Sequence, residues 1–190
     1  MPGRFVADYF EALAKLLRRS DGEAVARLGG LLWAAYEADR QVFLLGNGGS
    51  AATASHFACD LGKGTAVPGQ RRFRALSLAD NVAMLTALGN DIGYEKVFTE
   101  QLAALMRPGD LVVAISASGN SPNVVDAVEY ANQAGGVTVA LVGFGGGRLK
   151  EIAQQTVHFA SDNYGLVEDA HLILEHALTQ WLRRRLAGEG

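Results

Sequence analysis

Residues 110–142 read DLVVAISASGNSPNVVDAVEYANQAGGVTVALV. Asp110–Ile115 is a short apolar run of the kind a strand shows when both its faces are buried. Ser116-Ala117-Ser118-Gly119-Asn120-Ser121 follows as a strand-to-helix loop, with Pro122 pre-set for the first helical position. The spacing then predicts a helix over 122–134 and a second apolar strand over 137–142.

The same alternation extends in both directions. Upstream, Gln41-Val42-Phe43-Leu44-Leu45 runs into Gly46-Asn47-Gly48-Gly49-Ser50, and a helix follows from about Ala51 to Leu61. Phe73–Ser77 reads as a strand. Residues 80–88 and 95–106 read as helices split by Gly89-Asn90-Asp91-Ile92-Gly93. Downstream come a Gly143–Gly147 turn, a short helix over 148–154, a strand over 156–159 and a long helix over 166–186. Two amphipathic helices, 4–18 and 22–38, precede the first strand, the second weakened by Gly29-Gly30. Strands alternating with helices predict an α/β fold. We expect a three-layer sandwich on a parallel five-stranded, flavodoxin-like sheet, forming one domain over 1–190 with the helical pair of 1–39 packed on it.

Composition narrows the function. The chain has 190 residues, 49% of them hydrophobic and 19% charged, which is ordinary for a globular protein and too apolar for a disordered one. Its 23 glycines against four prolines place the excess glycine in turns and ligand loops. A net charge of −3 argues against a general nucleic-acid binder. Arg183-Arg184-Arg185 suits a helix C-terminus, where cations complement the dipole. Cys59 is alone, which excludes an internal disulfide or a cysteine-rich zinc site and fits a cytoplasmic protein. No apolar run reaches the ~20 residues of a membrane span, and the N-terminus lacks the h-region of a signal peptide.

The chemistry concentrates in loops that follow strands, where parallel sheets bind ligands. Ser116, Ser118 and Ser121 bring three hydroxyls to the start of a helix, whose free N–H groups and dipole favour an anion. Ser121 is also placed to cap that helix. Gly46-x-Gly48-x-x-Ala51 matches a dinucleotide fingerprint only formally. The acid expected about 20 residues on is missing, Asp80 falls too late, and no Gly-Lys-Ser/Thr stands in for it. One phosphomonoester fits better than a nucleotide cofactor. His56 and Asp60 lie four residues apart on one helix face and can meet one ion or one substrate carbon. On the last helix Glu168, Asp169, His171, Glu175 and His176 interrupt an apolar pattern, and spacing does not choose between the two histidines.

These residues carry a resemblance. Gly46–Ala52, then His56, then Gly89-Asn90-Asp91, then Ser116–Ser121 resemble sugar isomerase (SIS) domain proteins, and among them the phosphoheptose isomerases. The likeness covers nearly the whole chain. It implies an aldose–ketose isomerase that interconverts sedoheptulose 7-phosphate and D-glycero-D-manno-heptose 7-phosphate through an enediol(ate). The serine loop (Ser116, Ala117, Ser118, Ser121) with Asn47, Gly48, Gly49 and Ser50 would hold the phosphorylated sugar, joined by Asn90, Asp91 and Glu168. A zinc ion, or another divalent metal, would sit on His56, Asp60, Glu168 and His176, with Asp60 and His176 transferring the proton. Two of these four depart from the family's pattern, which has Glu at the place of Asp60 and Gln at the place of Glu168. Gly64 stands where relatives carry Arg, beside Lys63. The resemblance also implies a homotetramer with sites at subunit boundaries. The alternatives are an isomerase of another phosphosugar, or a non-catalytic SIS protein that binds the replication initiator.

Overall fold

Five runs become strands: β1 (Gln41–Gly46), β2 (Arg74–Ser77), β3 (Leu111–Ser116), β4 (Val137–Val142) and β5 (Gln155–His158). In the computed structural model, which describes residues 1–189, they form one sheet in the order β2-β1-β3-β4-β5. Every pairing is parallel, as the α/β alternation predicts. β1 and β3 run side by side with Gly46 opposite Ile115, so the two candidate loops leave the sheet next to each other.

The period-2 geometry of a strand sends neighbouring side chains to opposite faces. From β1, Val42 and Leu44 enter one apolar layer and Phe43 and Leu45 the other. The first layer is covered by α2 (Gly22–Glu37), α3 (Gly49–Cys59) and α8 (Tyr164–Leu186), with Leu28, Leu32, Phe57 and Leu182 fully buried. The second is covered by α5 (Thr99–Leu105) and α6 (Pro122–Gln133), through Phe98, Leu102, Val124 and Val128. α4 (Val82–Asp91) and α7 (Gly147–Ile152) complete that side. Each large aliphatic side chain buried this way contributes roughly 1.5–3 kcal/mol. Among the described residues, no helix is long and apolar enough to cross a membrane.

α1 (Pro2–Arg18) is the outermost element. Leu13, Leu16 and Leu17 pack on the core, and Tyr9 donates a 2.7 Å hydrogen bond from its hydroxyl to Asp169 on α8. Phe5, Val6 and Phe10 stay exposed on its other face. Of the glycine pair in α2, close packing explains Gly29, while a Cβ at Gly30 would meet open space. A Cβ at Gly29 would stand 3.3 Å from the Trp181 ring and 3.4 Å from Leu178, so the missing side chain lets α2 approach α8. Arg185 lies over the Trp33 ring at 4.3 Å, which gives one of the three terminal arginines a packing role beyond the helix dipole.

Two boundaries differ from the sequence expectation. Gly89-Asn90-Asp91 does not split two helices but forms the last turn of α4. The chain turns only at Gly93, whose φ of 138° most side chains avoid; a 3₁₀ turn at Tyr94–Lys96 then delays α5 to Thr99. The helix after the first glycine loop also does not simply stop. α3 passes into a π-helical turn over Asp60–Gly64, a distortion frequent at functional sites.

Candidate active site

In the 2-1-3-4-5 order the direction in which strands are added reverses between β1 and β3, and parallel sheets bind ligands at such a switch point. Both loops named from the sequence open there. Asn47, Ser50, Ser116, Ser118 and Ser121 line a cavity of about 180 Å³, with Ala117, Tyr164 and Glu168 also on its wall. Ser121 occupies the N-cap position of α6, yet its hydroxyl makes no capping bond, which leaves it free for a ligand. The Ser118 hydroxyl accepts from Asn120 N at 3.3 Å, and buried Ser116 accepts from Gly119 N at 3.2 Å. Their O–H groups therefore remain available as donors.

The loop is held from behind. Gly119 O accepts from Leu149 N at 3.0 Å, and Asn120 Oδ1 accepts from Arg148 N at 2.9 Å. A Cβ at Gly119 would stand 2.0 Å from Gly146 O, and its φ is 68°, so only glycine fits there. Asn47 is fixed just as firmly. It exchanges two amide hydrogen bonds with buried Asn123, at 2.8 and 2.9 Å, and accepts a third from the Tyr94 hydroxyl at 3.0 Å. Asn47 thus ties the glycine loop to α6, an architectural part that spacing alone does not reveal.

A second cluster lies further along α3 and α8. His56 and Asp60 share a face as their spacing predicts, with Nε2 and Oδ2 3.9 Å apart. His176 brings its Nε2 to 3.5 Å from His56 Nε2, the two rings meeting edge to face. Of the two histidines on α8 it is His176 that meets His56; His171 is wholly buried against Phe159, and burial pulls its pKa down to about 4. Glu175 is the fourth member. Its Oε1 lies 3.3 Å from His176 Nε2 and 3.6 Å from His56 Nδ1. One ligand atom from each of His56, Asp60, Glu175 and His176 falls within 4.8 Å of all the others. The side chain of Glu175 is 0% exposed, and burial, then the neighbouring Asp60 carboxylate, push its pKa up to about 8.

Glu168, expected among the metal ligands, lies outside this cluster. It sits eight residues, about 12 Å of helix rise, before His176. Its carboxylate is turned onto Gly49, where a Cβ would stand 2.5 Å from Oε2. It stands in the wall of the serine cavity. Asn90 and Asp91 join neither group. They lie exposed at the end of α4, where Asn90 Nδ2 donates to Asp91 Oδ1 at 2.7 Å. Gly64 borders Asp60, with 3.3 Å between Asp60 Oδ1 and the position of a Cβ.

Fold and site together define a phosphosugar-binding α/β protein, and comparison with known proteins agrees. The SIS domain family model matches residues 7–143. A phosphoheptose isomerase from Akkermansia muciniphila is 40% identical over 183 residues, covering 96% of this chain and 94% of that one. A probable phosphoheptose isomerase from Thermoplasma volcanium is 35% identical over 91% of this chain and 88% of its own. Among solved structures, phosphoheptose isomerase GmhA from Neisseria gonorrhoeae superposes with a TM-score of 0.88 at 29% identity, over 96% of this chain and 98% of that one. One from Francisella tularensis gives 0.89 at 26% identity, over 97% and 99%. The chain belongs to the SIS-domain family, in its phosphoheptose isomerase branch.

Proposed function

We propose that this protein is the aldose–ketose isomerase that interconverts sedoheptulose 7-phosphate and D-glycero-D-manno-heptose 7-phosphate. The observation that carries the reading is the pairing of a phosphate cradle with an acid–base cluster along the same two helices. From Ser50 to His56 the rise along α3 is about 9 Å, and from Glu168 to His176 along α8 about 12 Å. That separation suits a sugar whose phosphate is at the opposite end from its carbonyl.

The Ser116, Ser118 and Ser121 hydroxyls and the N-terminus of α6 grip the phosphate. With the phosphate anchored, the carbonyl end reaches the Asp60–His176 pair. Asp60 takes the proton from the carbon α to the carbonyl, an enediol(ate) forms, and His176 delivers a proton to the neighbouring carbon. The roles exchange when the reaction runs the other way. The donor set suits a divalent ion such as Zn2+: two imidazoles and a carboxylate, His56, His176 and Asp60, converge with the buried, unpartnered Glu175 carboxylate at their side. When bound, such an ion would polarise the carbonyl oxygen and stabilise its developing negative charge.

The whole chain, residues 1–190, would act as one domain within a cytoplasmic homotetramer. Exposed Cys59 suits a reducing compartment, and the apolar outer face of α1 suits a partner subunit. Incubation with sedoheptulose 7-phosphate in deuterated water tests the reaction. The expected outcome is an aldose phosphate carrying solvent deuterium at the carbon next to the new aldehyde. Turnover of a different phosphosugar alone would reassign the substrate, and no turnover across a phosphosugar panel would leave a binding protein.

A further inference from the structure

We propose that Tyr164 completes the rim of the serine cavity with its hydroxyl donating to the bound phosphate, and that Phe144, held in a left-handed backbone conformation, keeps the tyrosine ring in that place. The proposal deepens the reading above and rests on it for the anion in the cavity.

The first observation is the backbone of Phe144. In the turn Gly143-Phe144-Gly145-Gly146-Gly147 it is the one residue that is not glycine. Its φ is 46°, in the region where a Cβ crowds the following carbonyl. Among the described residues the other non-glycine residue with positive φ is Asp39, and aspartate tolerates that region far better than phenylalanine. Gly146 and Gly147 take positive φ nearby without strain, so a glycine would be the unstrained residue at 144 too. The fold instead holds Phe144 from both sides. Its N–H donates to Ser161 O at 2.8 Å, and its carbonyl accepts from His158 Nε2 at 2.8 Å. Strain kept in this way marks a side chain whose position matters, and the side chain meets Tyr164. The two rings stand 4.7 Å apart, inclined by 56°.

The second observation is the donor set of the cavity. Among the described residues that line it there is no lysine or arginine, and the Glu168 carboxylate stands in its wall. Neutral donors must therefore hold the anion against a negative neighbour. Beyond the serines and Asn47, Tyr164 is the one lining side chain with a proton to give. It opens α8 directly after the N-cap Asn163. It is 58% exposed, so burial does not fix its ring, and an unrestrained tyrosine samples several rotamers. Contact with Phe144 selects one of them. The turn that carries Phe144 also braces the serine loop, since Gly143 N donates to Ala117 O at 2.9 Å and Leu149 N to Gly119 O at 3.0 Å. Serine hydroxyls and tyrosine ring are thus set from one platform.

Binding of inorganic phosphate tests the pair. A phosphorus NMR titration would be run on wild type, Tyr164→Phe, Tyr164→Ala, Phe144→Asn and the double variant Phe144→Asn/Tyr164→Ala. Asparagine visits the left-handed region readily, so Phe144→Asn removes the ring and keeps the turn. Tyr164→Phe is expected to raise the phosphate Kd by about 10-fold or more, as the loss of a hydrogen bond to a charged group does. Phe144→Asn should raise it by about 2- to 10-fold, the range an aromatic pair supplies. In the Tyr164→Ala background Phe144→Asn should add nothing, because a positioning residue acts through the group it positions. KM for sedoheptulose 7-phosphate should rise in the same order, by a larger factor than kcat falls. Wild-type phosphate affinity in Tyr164→Phe would remove the hydroxyl from the site. Equal losses from Phe144→Asn with and without the tyrosine would overturn the role given to Phe144. Either result leaves the serine cavity standing as the phosphate site. A wild type that binds no phosphate, or a Ser118→Ala/Ser121→Ala variant that binds it undiminished, would instead remove that site and the role of Tyr164 with it.

Discussion

Asp60 carries the largest consequence of any single residue. Asp60→Asn keeps the shape and removes the proposed base, so kcat for isomerisation should fall by ~10²-fold or more while the fold survives. Steady-state kinetics with circular dichroism on the same sample check it, and near-wild-type turnover in a folded variant would remove Asp60 as the base. His171 predicts a pH effect of definite sign. Its ring, held down to about 4 in the fold, titrates near 6.5 when unfolded. Above pH 6.5 it is neutral in both states and adds no pH dependence. As pH falls from 6.5 towards 4, the unfolded chain gains a proton that the folded chain refuses, and stability drops. The loss is about 2–3 kcal/mol at pH 4.5. Glu175 in the metal-free protein works oppositely. Its carboxyl, raised from 4.5 to about 8, keeps a proton in the fold that the unfolded chain releases as pH rises. The His171 share is therefore the difference between wild type and His171→Leu in urea unfolding at pH 7.5 and 4.5, and identical pH dependence in both would contradict it. The sequence makes the His56–Asp60 pair legible because i,i+4 spacing fixes a shared face. It could not choose between His171 and His176 on α8. Which of the two reaches His56 and Asp60 depends on how α3 and α8 cross, and that is a property of tertiary packing.

At the scale of elements, the β3–α6 loop and the start of α6 are proposed to act as one anion cradle. Ser118→Ala combined with Ser121→Ala should raise KM by roughly 10-fold or more, the loss of a charged hydrogen bond worth ~1.5–3 kcal/mol. Inhibition by inorganic phosphate should weaken in parallel. An unchanged KM with unchanged phosphate inhibition would take this loop out of the site. The strands were legible almost to the residue, because an apolar run bounded by glycine and polar turns has few other homes. β4 matches over 137–142, β1 and β2 differ by a single residue at one end, and β3 and β5 are displaced by one residue. The elements between β2 and β3 were less legible. Gly89 looks like a breaker, but the Asn81 side chain accepts from Met84 N at 3.0 Å and starts α4 late, and one glycine in a last turn costs only about 1 kcal/mol. The π-helical turn at Asp60 has no period of its own in the sequence and could not be read there.

The molecule as a whole presents an unfinished surface. Phe5 and Phe10 are 72% and 63% exposed on α1, beside half-exposed Val6. Light scattering at micromolar concentration should return a tetramer, and Phe5→Asp with Phe10→Asp should shift it to smaller species. A fully active wild-type monomer would defeat the expectation. Apolar periodicity marked α1 as a packing helix, but not how little of it the chain covers by itself. The deepest constraint on the molecule lies elsewhere, where Gly119 and Gly146 touch backbone to backbone. Ser116–Ser121 and the turn after β4 are two parts of one rigid body, so neither can change length or accept a side chain at that contact alone. A chimera that borrows the serine loop from a relative is expected to need residues 143–149 from the same donor, because the two backbones are fitted to each other.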